Sequence, residues 1–164
     1  MELFLEEINA HKNIILGHSF GGKVAALLNP DLLVLVASAG IVIPKSLKVR
    51  TKIALFKMFK FTGLSALRSL FVAPDAQGLS ECMYQTFKNV INEDFSDIFR
   101  DYKGKVLLCF GEKDTATPVW SGQIMARLMH DSRWVSYSGV HYFLLKEGVS
   151  VARELEQSMD KNEV

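Results

Sequence analysis

The sequence predicts an α/β protein built on a parallel sheet, and three observations support this prediction. Four short apolar runs are bounded by turn residues, and stretches with helical periodicity separate them. The first three runs are continuously apolar, which is typical of strands covered on both faces. Strands and helices alternate along the chain, as expected for right-handed crossovers in a parallel sheet. The runs are Asn13–Gly17, Leu32–Ser38, Lys105–Gly111 and Arg133–Tyr137.

Helical patterns flank these four predicted strands. Met1–Ala10 places its apolar side chains on one face, and Phe20–Leu28 is followed by an Asn-Pro-Asp turn that stops the helix. Thr117 is predicted to cap a third helix, with Pro118 at its first helical position. Val149–Asp160 has apolar residues four apart, which predicts a C-terminal helix.

The region between the second and third strands is too long for one crossover helix. Residues 41–103 show only helical patterns, which are broken at two prolines and two glycines. The sequence therefore predicts two parts: a sheet core formed by residues 1–40 and 104–164, and a helical insertion formed by residues 41–103.

Composition and charge exclude several classes of function. Nineteen basic and eighteen acidic residues leave a net charge of +1, which predicts no nucleic-acid partner. No apolar run approaches the roughly 20 residues of a membrane span, and acidic residues follow Met1 where a signal peptide needs basic ones. Cys82 and Cys109 lie far apart without metal-ligand spacing, so we expect no metal, no cofactor and a cytoplasmic location.

The first strand runs into the motif Gly17-His18-Ser19-Phe20-Gly21-Gly22 and then into a helix. This Gly-x-Ser-x-Gly pattern predicts a nucleophile elbow, in which a serine stands on a sharp turn between strand and helix. We expect Gly17 and Gly21 to be required because a Cβ at either position would clash with the neighbouring strand or helix.

A nucleophilic serine needs a base and an acid that orients the base, in the chain order Ser, Asp or Glu, His. Asp114 follows the third strand and His141 follows the fourth, so both are predicted at the sheet edge where Ser19 lies. Glu112 is the rival acid. His18 is expected to be a packed or hydrogen-bonded neighbour rather than a base, because it adjoins Ser19 on the turn and its side chain should diverge, or else to be part of the substrate pocket.

Three blocks of the sequence are similar to motifs of a known family. They are GHSFGG at the elbow, LLCFGEKDTATP at the acid and SGVHYFLLKEG at the histidine. The sequence resembles the α/β-hydrolase fold family, in particular its cap-bearing, esterase-like branch. The resemblance implies that Ser19 is the nucleophile, His141 the general base and Asp114 its orienter. It also implies that the Phe20 N–H stabilises the oxyanion and that the insertion is a cap over the substrate.

The resemblance covers only the C-terminal half of the family's sheet. Family members have four further strands and two helices before the elbow strand, where this sequence has residues 1–12. The second backbone donor of the oxyanion hole normally comes from that region. The segment Asn13–Gly17 is then expected to form an open sheet edge, through which the chain would associate with itself or with an upstream segment.

The function that these features predict is a serine hydrolase that cleaves an ester, thioester or related acyl bond. Phe56 and Phe59 of the insertion predict a hydrophobic substrate. The alternative is a non-catalytic remnant that acts by binding or assembly. A third hypothesis is a membrane-peripheral role for the basic stretch Lys45–Lys60, for which the solvated face of a cap helix is the simpler explanation.

Overall fold

The computed structural model describes residues 1–10, 13–43 and 80–160. Two compact units can be distinguished, one formed by Met1–Ile41 with Asp94–Val164 and the other by Val42–Glu93. The helices are α1 Glu2–Glu7, α2 Phe20–Leu27, α3 Glu81–Asn92, α4 Ser96–Asp101, α5 Val119–Leu128 and α6 Leu144–Asp160. The strands are β1 Ile14–His18, β2 Leu32–Val36, β3 Lys105–Gly111 and β4 Asp131–Tyr137.

The four strands form one parallel sheet in the order β1-β2-β3-β4, so the prediction of four parallel strands is confirmed. Neighbouring strands are in register, and one row across the sheet consists of Leu16, Val34, Leu107 and Arg133. All five residues of β2 are buried, which explains why this strand is apolar without alternation.

Alternate side chains of β2 and β3 enter two separate cores. On one face, Leu33, Leu35 and Leu108 pack in a cluster with residues of α2, α4 and α5. On the other face, Val34 and Leu107 pack with residues of α6. Both faces of the central strands are therefore removed from water, which is the main source of the free energy that stabilises the sheet.

Strand β1 lies at the edge of the described sheet. Leu32 N–H donates to Asn13 O at 2.9 Å, and Ser19 N–H donates to Val36 O at 3.0 Å. Because the bonding direction alternates along a strand, the backbone groups of Ile14, Leu16 and His18 are directed to the open side. Among the described residues no further strand pairs with that side.

Among the boundaries that differ from the predicted ones, three concern the site and the insertion. The predicted cap Thr117 lies outside helix α5, which begins at Val119 and has no side-chain cap, because the Thr117 hydroxyl is engaged elsewhere. Helix α6 begins at Leu144 and not at Val149. The end of the predicted insertion, residues 94–103, belongs to the unit that contains the sheet, where Phe99 is fully buried.

Much of the predicted insertion, residues 44–79, lies outside the described residues, as do Phe56, Phe59 and the stretch Lys45–Lys60. The insertion as a cap therefore stays a prediction. Within the three described ranges, no helix combines the length and apolar character that crossing a membrane requires.

Candidate active site

Ser19 occupies a sharp turn between the end of β1 and the start of α2. Its backbone angles are φ 53° and ψ −119°, in the region that residues with a Cβ rarely adopt. Three backbone hydrogen bonds hold this strained conformation, since Ser19 N–H donates to Val36 O and its carbonyl accepts from Gly22 N–H and Ala39 N–H. The local geometry is that of the predicted nucleophile elbow.

The glycines of the elbow have different roles. A Cβ at Gly17 would lie 2.4 Å from the Gly21 carbonyl oxygen, and one at Gly22 would lie 2.0 Å from Ser38 Oγ. A Cβ at Gly21 would meet nothing within 4 Å. The steric expectation is therefore correct for Gly17 and wrong for Gly21, because Gly22 and not Gly21 is the residue packed against β2.

Asp114 and His141 lie on neighbouring loops that follow β3 and β4. Backbone hydrogen bonds join the loops, since Glu112 N–H donates to Tyr137 O at 2.9 Å and Lys113 N–H to Gly139 O at 2.8 Å. The Nδ1 atom of His141 is 2.8 Å from Asp114 Oδ2. The structure thus brings the predicted acid and base into direct contact, whereas the side chain of the rival acid Glu112 is exposed.

The Asp114 carboxylate has no exposed surface, and donors surround both of its oxygens. Oδ1 accepts from the N–H groups of Ala116 at 2.8 Å and Thr117 at 2.9 Å. Oδ2 is 2.7 Å from Thr117 Oγ1 and also contacts His141. Burial alone would raise the pKa of Asp114, but the hydrogen bonds from Thr117 and His141 outweigh it and lower the pKa, so the group is ionised at neutral pH.

An ionised Asp114 fixes the tautomer of His141. Because a carboxylate can only accept, the proton of their hydrogen bond is carried by Nδ1 of the histidine. In the neutral imidazole, Nε2 then has a free lone pair and can accept a proton. This tautomer leaves Nε2 as the proton acceptor, as a general base requires.

Thr117 contacts the Asp114–His141 pair, whereas the sequence pattern predicted it only as a helix cap. Its hydroxyl lies near Asp114 Oδ2, at 3.0 Å from Ala37 O and at 3.3 Å from His141 Nδ1. Its single proton can be donated either to the carboxylate or to the Ala37 carbonyl, which follows β2. The Asp-x-x-Thr spacing after a buried strand was a usable signal, because side chains three residues apart in a turn can meet.

His18 contacts the histidine loop. Its Nε2 atom is 3.1 Å from the carbonyl oxygen of His141, and the centroids of the two rings are 4.8 Å apart. Of the two readings left open by the sequence, the structure supports a hydrogen-bonded neighbour. A pocket role for His18 stays a prediction.

The structure does not join every predicted site residue. Among the described residues, no hydrogen bond connects the Ser19 hydroxyl to His141, although such bonds are often long in enzymes without substrate.

The Phe20 N–H is the first amide of α2. An amide at this position has no acceptor within its own helix, so it is available to an anion. No group of His, Cys, Asp and Glu within the described ranges could hold a metal ion.

Comparisons with solved structures identify the fold. An esterase from Exiguobacterium antarcticum aligns at 19% identity with a TM-score of 0.62, covering 94% of this chain and 69% of that one. A meta-cleavage product hydrolase from Pseudomonas fluorescens IP01 aligns at 15% with a TM-score of 0.64, covering 96% and 68%. An alpha/beta hydrolase from a metagenome of lagoon sediments at Mar Chica, Morocco, aligns at 16% with a TM-score of 0.64, covering 99% and 68%.

The chain therefore has the α/β-hydrolase fold, and the resemblance seen in the three sequence blocks is confirmed at the level of the fold. It spans about two thirds of the length of these structures. No protein-family model and no curated protein sequence matches the chain.

Proposed function

We propose that this chain is a serine hydrolase that cleaves an ester, thioester or related acyl bond. Ser19 is the nucleophile, His141 the general base and Asp114 the residue that orients it. The observation that carries the proposal is the hydrogen bond between His141 Nδ1 and a fully buried Asp114 carboxylate, at the sheet edge where the strained Ser19 turn also lies.

The proposed reaction begins when His141 Nε2 takes the proton of the Ser19 hydroxyl. The serine oxygen attacks the acyl carbon, and the Phe20 N–H donates to the oxyanion of the tetrahedral intermediate. His141 then gives its proton to the leaving group, and the acyl-enzyme remains. Water then loses a proton to the same nitrogen while its oxygen attacks the acyl carbon. The bond from that carbon to the Ser19 oxygen breaks, His141 returns the proton to the serine, and the acid is released.

The charge on Asp114 supports this sequence of steps. An ionised carboxylate beside Nδ1 stabilises the imidazolium that forms when His141 accepts the proton. The hydrogen bonds that lower the pKa of Asp114 keep it charged without transfer of the proton from His141. The acid therefore acts through electrostatics and orientation.

The proposed substrate has a hydrophobic acyl or aromatic group. Phe56 and Phe59 would line its pocket, as the sequence predicts, and enlarging the pocket at either position should change the preferred acyl length. A cytoplasmic location fits the two free cysteines, Cys82 and Cys109.

Labelling with a fluorophosphonate probe tests the proposal. The probe should modify Ser19, and Ser19→Ala and His141→Ala should each abolish labelling because the nucleophile or its base is lost. Ser136→Ala is the matched control, since Ser136 is exposed on β4, and it should be labelled like the wild type. A label on another serine, or equal labelling of the His141→Ala variant, would overturn the assignment.

The open side of β1 favours a second candidate function. An edge strand with exposed Ile14 and Leu16 fits a chain that acts by binding or assembly without catalysis. Turnover of a small ester distinguishes the two candidates, because a binding protein would neither be labelled at Ser19 nor hydrolyse the ester.

A further inference from the structure

His18 makes a direct connection between the elbow and the histidine loop. It is the last residue of β1, its backbone is in register with Val36 of β2, and it immediately precedes Ser19. Its Nε2 atom is 3.1 Å from the His141 carbonyl oxygen, although the two residues are 123 positions apart in the sequence. A side chain fixed on a strand thus contacts the backbone of the residue that carries the base.

The chemistry of this contact assigns the proton. A carbonyl oxygen can only accept, so Nε2 of His18 donates, and neutral His18 is the Nε2–H tautomer. His141 is then held at two places: Asp114 holds its side chain at Nδ1, and His18 holds its backbone carbonyl. The first contact sets the rotation of the imidazole ring, whereas the second sets the position of the loop.

The loop lies outside the sheet, and the contact with His18 adds to the backbone bond from Lys113 N–H to Gly139 O at 2.8 Å that joins it to the loop after β3. Residues 138–143 form turns after β4, and the backbone bond from Phe143 N–H to Val140 O at 2.9 Å is local. A hydrogen bond to a strand residue next to the nucleophile restricts the distance between Ser19 and His141. A displacement of about 1 Å between reacting groups can cost about 100-fold in rate.

We propose that His18 is a positioning residue for His141, and that its Nε2–H donates to the His141 carbonyl and holds the base next to Ser19. This inference rests on the proposed serine-hydrolase function. It assigns a role to the variable residue of the elbow motif. The role requires a donor at the position of Nε2 and does not require an imidazole ring as such.

Three variants of the full chain separate the hydrogen bond from ring packing. His18→Phe keeps a ring beside His141 but has no donor, and it should lower kcat for a small ester about tenfold with KM unchanged. His18→Gln places an amide N–H near the same point and should recover most of that loss. Tyr142→Leu is the control, because its exposed ring contacts both histidines without a hydrogen bond between side chains, and it should stay within about twofold of wild type.

An activity-independent measurement accompanies the kinetics. Nitrogen-15 NMR of the wild-type protein, at a pH where the neutral ring is observed, should show the His18 proton on Nε2 and a bare Nδ1. An Nδ1–H tautomer would overturn the inference, even if a variant fails to fold. Equal kcat values for His18→Phe and wild type, or equal losses in the Gln and Phe variants, would also overturn it.

The experiments distinguish failure of the proposed function from failure of the role assigned to His18. If the fluorophosphonate probe does not label Ser19 in the wild type, the hydrolase assignment is wrong whatever the tautomer of His18. If the probe labels Ser19 and the tautomer or the variants disagree with expectation, only the role of His18 is wrong.

Discussion

The two edges of the sheet differ in how far their residues are buried and hydrogen-bonded. Beyond β3 and β4, the carboxylate of Asp114 is fully buried, both its oxygens accept hydrogen bonds, and backbone bonds join its loop to that of His141. At β1, Ile14 and Leu16 are 37% and 45% exposed, and the backbone has an open side. The described fold by itself therefore supports the Asp114–His141 pair much more fully than the strand that leads into Ser19.

This difference teaches that the two parts of the site depend on different interactions. The pairing of Asp114 with His141 needs only the loops after β3 and β4 and the contacts of Thr117. The elbow needs β1 to hold its position, and among the described strands only β2 pairs with β1. Variants at the two places should accordingly change different properties of the protein.

The largest effect on activity is expected at the Asp114–His141 pair. Asp114→Asn should lower kcat about 10³- to 10⁴-fold, because the new amide would donate to His141 Nδ1 and impose the wrong tautomer. Ester hydrolysis or probe labelling measures this loss. Glu112→Gln is the matched control, since Glu112 is exposed on the same loop, and its rate should stay within about twofold of wild type. A comparable loss in Glu112→Gln would move the acid to that residue.

The next prediction compares the loss of stability at two leucines in one row of the sheet. Leu107 is fully buried between β2 and β4, whereas Leu16 in the same row is 45% exposed. Leu107→Ala should lower the free energy of unfolding by about 2–5 kcal/mol, and Leu16→Ala by about 1 kcal/mol or less. Urea denaturation measures both. Equal losses would show that the outer side of β1 is covered in solution.

A smaller effect is expected from the elbow glycines. Gly17→Ala should destabilise the protein by about 1–3 kcal/mol, because the added methyl group meets the backbone of α2. Gly21→Ala should have little effect or stabilise slightly, since the space beside it is open and alanine favours a helix. Thermal denaturation of the pair tests this. A large destabilisation by Gly21→Ala alone would indicate a neighbour on the open side.

The smallest expected effect is on the self-association of the chain. We expect the isolated chain to self-associate through β1, and Leu16→Lys should shift it towards the monomer, because a charge on an edge strand opposes pairing. Light scattering coupled to size exclusion measures the mass over a range of concentrations. Because Leu16 is exposed, the variant should remain folded, and circular dichroism checks this. A wild-type chain that is monomeric at high concentration would refute the association.

The strands, their parallel order and the loops that carry Asp114 and His141 could be predicted from the sequence. Continuous apolar runs such as Leu32–Val36 occur where a strand is covered on both faces, and parallel strands bring their carboxyl ends to one edge. Local chemistry also indicated the turn at Ser19, since glycines beside a serine permit a strained backbone.

Only the tertiary structure decided which side chains complete the site. Thr117 was expected to cap a helix and instead contacts Asp114, because its hydroxyl reaches an acceptor that burial has separated from water. His18 meets the carbonyl of a residue 123 positions away, and no local pattern encodes such a contact. Gly22 and not Gly21 lies against β2, because the direction of each Cβ depends on how the helix packs. Sequence patterns report periodicity and backbone preference, whereas partners distant in the chain are chosen by packing.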